Sequence, residues 1–221
     1  MTIRAVVFDI GGVLELDVIE LVDHGLDARW EQRLGLQPGE LDHRMESVWR
    51  AGSLGECTEE EVHQGMCERL GMSQDQVEVY MLEMWDWYCG RLNMPMADCF
   101  RRLRPRYLTA ILSNSFVGAR REEQQRYHFE EMCDLIIYSH EVGLAKPDRR
   151  IFELTWQRLG VQPTEMLFLD DVEGHVRAAH ACGIHAILFQ ETTQAIAALE
   201  AVLQAQLSSE ERCAGYLGYS F

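Results

Sequence analysis

Apolar residues in this chain cluster in five short, nearly unbroken runs, at Ala5 to Phe8, Leu108 to Leu112, Leu135 to Tyr138, Met166 to Leu169 and Ala186 to Phe189. A strand with one face in water alternates apolar and polar positions, whereas a strand buried on both faces does not. Separated by stretches of helical periodicity, these runs predict a parallel sheet covered by helices on both sides, an α/β, doubly wound class.

The spacing of the runs is uneven. The stretch between Phe8 and Leu108 far exceeds one crossover helix, so it predicts an insertion. Within it, Thr58 to Glu61 and Ser73 to Gln76 carry capping-box signatures. Val62, Met66 and Leu70, then Val77, Met81, Met84 and Tyr88, follow at helical spacing. The expectation is four helices with turns near Gly35 to Gly39, Gly52 to Gly55 and Gly71. The chain thus divides into a core of 1–14 and 95–207, an inserted helical cap of 15–94 and a tail of 208–221 that carries Tyr216, Tyr219 and Phe221. WEQRLGLQP and WQRLGVQP look alike but read as a shared way of ending a helix at glycine, not as a duplication.

Charge narrows the partners. Twenty Lys and Arg stand against 36 Asp and Glu, a formal net charge of -16, and this field repels nucleic acid and anionic membrane surfaces. Any phosphate site must therefore rely on local cations. Seven scattered cysteines without a C-x-x-C pair speak against a disulfide framework. No apolar run approaches the ~20 residues needed to span a bilayer, and the start lacks the sections of a secretory signal. A cytoplasmic protein, monomer or homodimer, is the expectation.

Chemistry concentrates at the strand ends. Asp9 follows VVF and precedes Ile10-Gly11-Gly12, a loop whose glycines permit close backbone approach to a ligand. Ser113 and Asn114 follow the second run, where a hydroxyl and free N–H groups can bind phosphate oxygens. Lys146, before Pro147, is a cation for charge on a transferring group. Asp170 and Asp171 end the fourth run; adjacent carboxylates there call for a cation. Taken singly, each of the first three also fits a plain turn, a helix start or a solvated lysine. One of the paired aspartates fits a helix cap, but a cap does not account for both.

These four motifs, in this order, resemble the haloacid dehalogenase-like (HAD) hydrolases with a helical cap inserted after the first motif, over Val6 to about Leu203. The resemblance implies a Rossmann-like core, Asp9 as a nucleophile that forms an aspartyl-phosphate, and Mg2+ held by Asp9, the Gly11 carbonyl, Asp170 and Asp171. It further implies Ser113 and Asn114 as phosphate-binding residues and Lys146 as the stabiliser of the group in flight. The implied activity is a phosphatase on a small phosphorylated metabolite.

One departure stands out. Phosphatases of this kind usually carry an aspartate two positions after the nucleophile as general acid and base; here that position is Gly11. A missing general acid forfeits ~10² to 10⁴ in rate. Glu15, Asp17 and His24 are candidate replacements, each read first as a solvated helix residue, and His175 is read as a satisfied surface or core histidine. Two other functions stay open: a dehalogenase attacking carbon, since dehalogenases also lack that aspartate, and a silent interaction protein. Asp170 and Asp171 favour phosphoryl transfer. The stretch Trp85-Asp86-Trp87-Tyr88 reads as an aromatic face packed within the cap, with a substrate wall as its alternative.

Overall fold

The computed structural model describes residues 2–16 and 25–216, with 206–216 as backbone only. Five strands form one parallel sheet in the order β5-β4-β1-β6-β7: β1 (Ala5–Phe8), β4 (Leu108–Ser113), β5 (Leu135–Tyr138), β6 (Met166–Asp170) and β7 (His185–Leu188). All five predicted runs are strands, the last beginning one residue early. β1 is fully buried and central, as its unbroken apolar run requires. Its register levels Phe8 with Ile111 on one side and Leu169 on the other. Asp9, Ser113 and Asp170 therefore emerge together at the carboxyl edge, where the strand order of an open α/β sheet opens a crevice.

The pleat sorts side chains to two faces. Val6, Phe8, Ile111 and Leu169 pack with Phe100 of α5 (Met94–Leu103) and Leu199 of the last helix, α11 (Thr192–Tyr216). Ala5, Val7, Leu112 and Phe168 pack on the other face with Ile151 and Phe152 of α9 (Arg149–Leu159). Phe8 stacks on Phe100 at 4.6 Å between centroids, and Phe152 meets Phe168 edge-on at 5.6 Å. At about 25 cal/mol per Å² of apolar surface removed from water, such two-sided burial is the main force that holds the sheet.

The long gap is indeed helical. It holds α1 (Leu26–Leu34), α2 (Glu40–Leu54), α3 (Glu59–Leu70) and α4 (Gln74–Cys89), entered and left through an antiparallel ribbon of β2 (Glu15–Leu16) and β3 (Arg91–Leu92). Trp30, Leu41, Met45, Met66, Met81 and Trp85 give these helices a core of their own. Both capping boxes are formed: Thr58 with Glu61 and Ser73 with Gln76. Gly35, Gly55 and Gly71 end helices in the left-handed conformation. Gly52, expected in a turn, lies inside α2 instead. A Cβ there would stand 2.2 Å from the Phe116 ring, so the glycine seats a core aromatic side chain against the helix.

The two similar segments end helices alike. Leu36 N–H donates to Glu31 O (2.8 Å) and Val161 N–H to Trp156 O (3.1 Å), the six-to-one bond of a glycine-terminated helix. α11 runs to Tyr216, so the first part of the predicted tail continues a helix; 217–221, with Tyr219 and Phe221, lie outside the described residues. Among the described residues no helix is long and apolar enough to cross a membrane.

Candidate active site

The sheet edge brings together side chains from the ends of β1 and β6 and from the loop before α9. Lys146 Nζ lies 2.8 Å from Asp9 Oδ2 and 2.7 Å from Asp170 Oδ2, with the lysine side chain wholly buried. Asp9 Oδ1 accepts from the Ile10 N–H at 2.7 Å. Burial pushes the Asp9 carboxyl up to about 7, although Lys146 pulls the other way. Burial also works against ionisation of Asp170, yet hydrogen bonds from His175, Lys146 and the Val172 N–H outweigh it and hold that carboxyl down at about 2. His175 Nδ1 is 3.0 Å from Asp170 Oδ1; beside an ionised carboxylate this nitrogen carries the proton and donates. It is thus the satisfied histidine that the sequence suggested, with a partner no spacing rule predicts.

Asn114 has a part beyond the one implied. Its Nδ2 donates to Lys146 O (2.9 Å) and its Oδ1 accepts from Lys146 N–H (2.7 Å), so the carboxamide clasps the lysine peptide. Both ends of that side chain thus position Lys146, while the second Nδ2 hydrogen of this exposed residue remains a donor. Ser113 is buried at the end of β4, its hydroxyl 3.3 Å from the Asn114 carbonyl. Further along the loop, Ser115 Oγ meets His140 Nδ1 at 2.7 Å and Ser115 N–H donates to Ser139 Oγ at 2.8 Å. Ser139 Oγ in turn donates to Ser53 O of α2 (2.9 Å), which ties the loop to the inserted helices.

The glycines sit where the backbone needs them. Gly12 has φ +73°, and a Cβ there would fall 2.2 Å from Asp171 Oδ2, so the loop and the Asp171 carboxylate share one narrow space. Gly11, in contrast, has open space where a side chain would project. Burial and the neighbouring Asp170 raise Asp171 above the ordinary carboxylate range. Among the described residues Asp171 has no cation within ion-pair distance, and Lys146 alone opposes both Asp9 and Asp170. One oxygen each of Asp9 and Asp170 and a nitrogen of His175 lie within 4.8 Å of one another. A surplus of hard carboxylate oxygens around a single lysine fits a divalent cation of the magnesium or calcium type.

Of the proposed replacements for the acid, Asp17 and His24 lie outside the described residues. Glu15 is no solvated helix residue: it sits in β2 at 3 % exposure, with neither carboxylate oxygen hydrogen-bonded. Burial first, then the buried Glu123, push it up to about 10. Glu123 accepts from the Tyr138 hydroxyl. No motif advertises this pair, because α6 (Ala119–Tyr127), which carries Glu123, reads as a polar surface helix.

A cavity of about 750 Å³ lies between the inserted helices and the loop after β4, lined in part by Trp49, Tyr80, Trp87, Ser115 and Phe116. The Trp85 to Tyr88 stretch divides between its two readings: Trp85 is buried in the helical core, whereas Trp87 is 47 % exposed and lines the cavity beside Tyr88.

Known proteins share this architecture. The chain is 30% identical to bifunctional epoxide hydrolase 2 of Sus scrofa over 94% of its own length, but spans only 40% of that protein. It is 23% identical to the D-ribitol-5-phosphate phosphatase of Bacteroides thetaiotaomicron, covering 82% of this chain and 89% of the relative. A crystal structure of a HAD family enzyme from the same bacterium, in complex with magnesium and inorganic phosphate, superposes with a TM-score of 0.71 at 23% identity, over 85% of this chain and 94% of that one. Haloacid dehalogenase-like hydrolases as a family match residues 3–183, and with the sheet order and the four strand-end motifs this places the chain in that hydrolase family.

Proposed function

We propose that this hydrolase is a magnesium-dependent phosphatase that cleaves a small phosphorylated metabolite through an aspartyl-phosphate on Asp9. The observation that carries the reading is the buried Lys146 ammonium within 2.8 Å of Asp9 and 2.7 Å of Asp170. A lysine so placed opposes the burial that raises the Asp9 carboxyl, favouring its ionised form, and stays at hand for the negative oxygens of a phosphoryl group. Magnesium and phosphate in the structural relative, and the phosphatase among the sequence relatives, support the same chemistry.

In this reading Asp9 Oδ attacks phosphorus; a P–O bond to the carboxylate forms as the bond to the leaving oxygen breaks. Water then attacks phosphorus and gives up a proton to solvent, matching the one the leaving oxygen took from solvent, the Asp9–P bond breaks, and inorganic phosphate leaves with Asp9 restored. Asp9, the Gly11 carbonyl, Asp170 and Asp171 would hold Mg2+, which when bound offsets the repulsion between carboxylate and phosphate. Ser113 binds a phosphoryl oxygen, and Asn114 keeps Lys146 aligned. The helices Leu26–Cys89 act as a cap that limits water at the site. Six cysteines among the described residues are free thiols, consistent with the reducing cytoplasm.

The dehalogenase and the silent interaction protein are weaker readings. Neither explains Asp171, an acid that among the described residues has no ion-pair partner and sits close to the Gly12 backbone. Hydrolysis of an activated aryl phosphate with and without magnesium decides. Magnesium-dependent turnover that Asp9→Asn abolishes supports the phosphatase; halide release from a 2-haloacid, or neither activity, overturns it.

A further inference from the structure

The cavity beside the site is polarised. Its core side is the loop of Asn114 and Ser115, and Asn114 holds the lysine that reaches Asp9. From the inserted helices come Asp27 and Asp42, and none of the described lining residues is Lys, Arg or His. Tyr80 donates its hydroxyl to Asp27 Oδ1 at 2.9 Å, and the Trp49 ring lies nearly parallel to the Tyr80 ring (9°) at 6.4 Å. Trp87 and Tyr88 complete an aromatic wall. One side thus adjoins, through Asn114, the backbone of the lysine beside Asp9, and the other presents two carboxylates among π faces.

Resting on the phosphatase reading, we propose that the substrate is a phosphomonoester whose leaving group has an apolar or aromatic body with an ammonium or other organic cation distal to the phosphate. The phosphate meets Asp9 and Lys146, and the cation lies near Asp27 and Asp42 against the aromatic wall of Trp49 and Trp87. A cation over an aromatic face is attracted by the ring quadrupole, and more strongly where water is excluded. A leaving group with a second phosphate or a carboxylate would meet like charge there and no cation among the described lining residues, which selects against bisphosphates and phosphorylated acids. The volume, about 750 Å³, takes a body the size of a drug-like ligand.

Three aryl phosphates on one scaffold test this: phenyl phosphate bearing a para 2-aminoethyl, ethyl or 2-carboxyethyl group, assayed with magnesium. The expected order of kcat/KM is amine, ethyl, carboxylate, with the amine favoured over the ethyl compound by roughly tenfold. Asp27→Asn and Asp42→Asn should each pull the amine-to-ethyl ratio toward one. Asp42 is exposed on α2, so its variant probes charge without disturbing a buried partner. Equal kcat/KM for amine and ethyl compounds, or a preference that survives both substitutions, overturns the proposal. Tyramine binding, followed by tryptophan fluorescence because Trp49 and Trp87 line the cavity, reads the cavity apart from turnover. Quenching by tyramine but not by 4-ethylphenol, in a protein that hydrolyses none of the three, supports the cation site and sinks the phosphatase reading; no quenching and no preference sinks the cation site alone.

Discussion

The Asn114 carboxamide hydrogen-bonds both the N–H and the C=O of Lys146, at 2.7 and 2.9 Å, as a neighbouring strand would. The loop after β4 therefore sets the backbone from which the lysine reaches Asp9 and Asp170.

Asn114→Ala removes that clasp and leaves two peptide groups to find other partners. The expected result is a fall in kcat of roughly tenfold or more, with a smaller change in KM, because about 1–3 kcal/mol attaches to a buried polar group left unsatisfied. Steady-state kinetics at saturating magnesium check this. An unchanged kcat would show that Lys146 is aligned without Asn114.

Gly11→Asp places a carboxyl where the family resemblance expects a general acid, and the space around a Gly11 Cβ is open. The substitution should raise kcat for alkyl phosphates, whose leaving oxygens need a proton, by up to ~10²-fold, and change little for p-nitrophenyl phosphate. Equal effects on the two leaving groups would argue against a general-acid role at this position.

Gly12→Ala should do the reverse. The added methyl meets Asp171 Oδ2 at 2.2 Å, in a backbone conformation (φ +73°) that costs an L-residue ~1–2 kcal/mol. Displacement of Asp171 should raise the magnesium concentration for half-maximal activity. A magnesium titration with the wild-type midpoint would separate Asp171 from the metal site.

Glu15 and Glu123 predict how stability depends on pH. Burial holds Glu15 up at about 10 and Glu123 at about 8, against ordinary values near 4.5. Both are protonated in the fold and ionised in the unfolded chain between these limits, so the fold binds more protons and loses stability as pH rises from about 4.5 toward 8 and above. Thermal unfolding should show Tm falling from pH 6 to pH 9, and Glu15→Gln should flatten the slope. A slope equal to wild type would place the titration elsewhere.

Much of the fold was legible before any coordinates. The unbroken run at Ala5 to Phe8 announces a central parallel strand because both of its faces must be apolar, and the capping boxes at Thr58 and Ser73 announce helices because they satisfy orphan N–H groups locally. Four motifs at strand ends put Asp9, Lys146, Asp170 and Asp171 in one neighbourhood, since a parallel sheet delivers its carboxyl ends to one edge.

Only the tertiary structure decided what those groups touch. That Asn114 holds a peptide, that His175 donates to Asp170, that Gly52 seats Phe116 and that Glu15 is buried without a partner are contacts between segments far apart or turned by packing. Local sequence encodes periodicity and capping, which act within a few residues. Side-chain partners and the polarity of the cavity depend on which surfaces the core brings together, and no period along the chain carries that information.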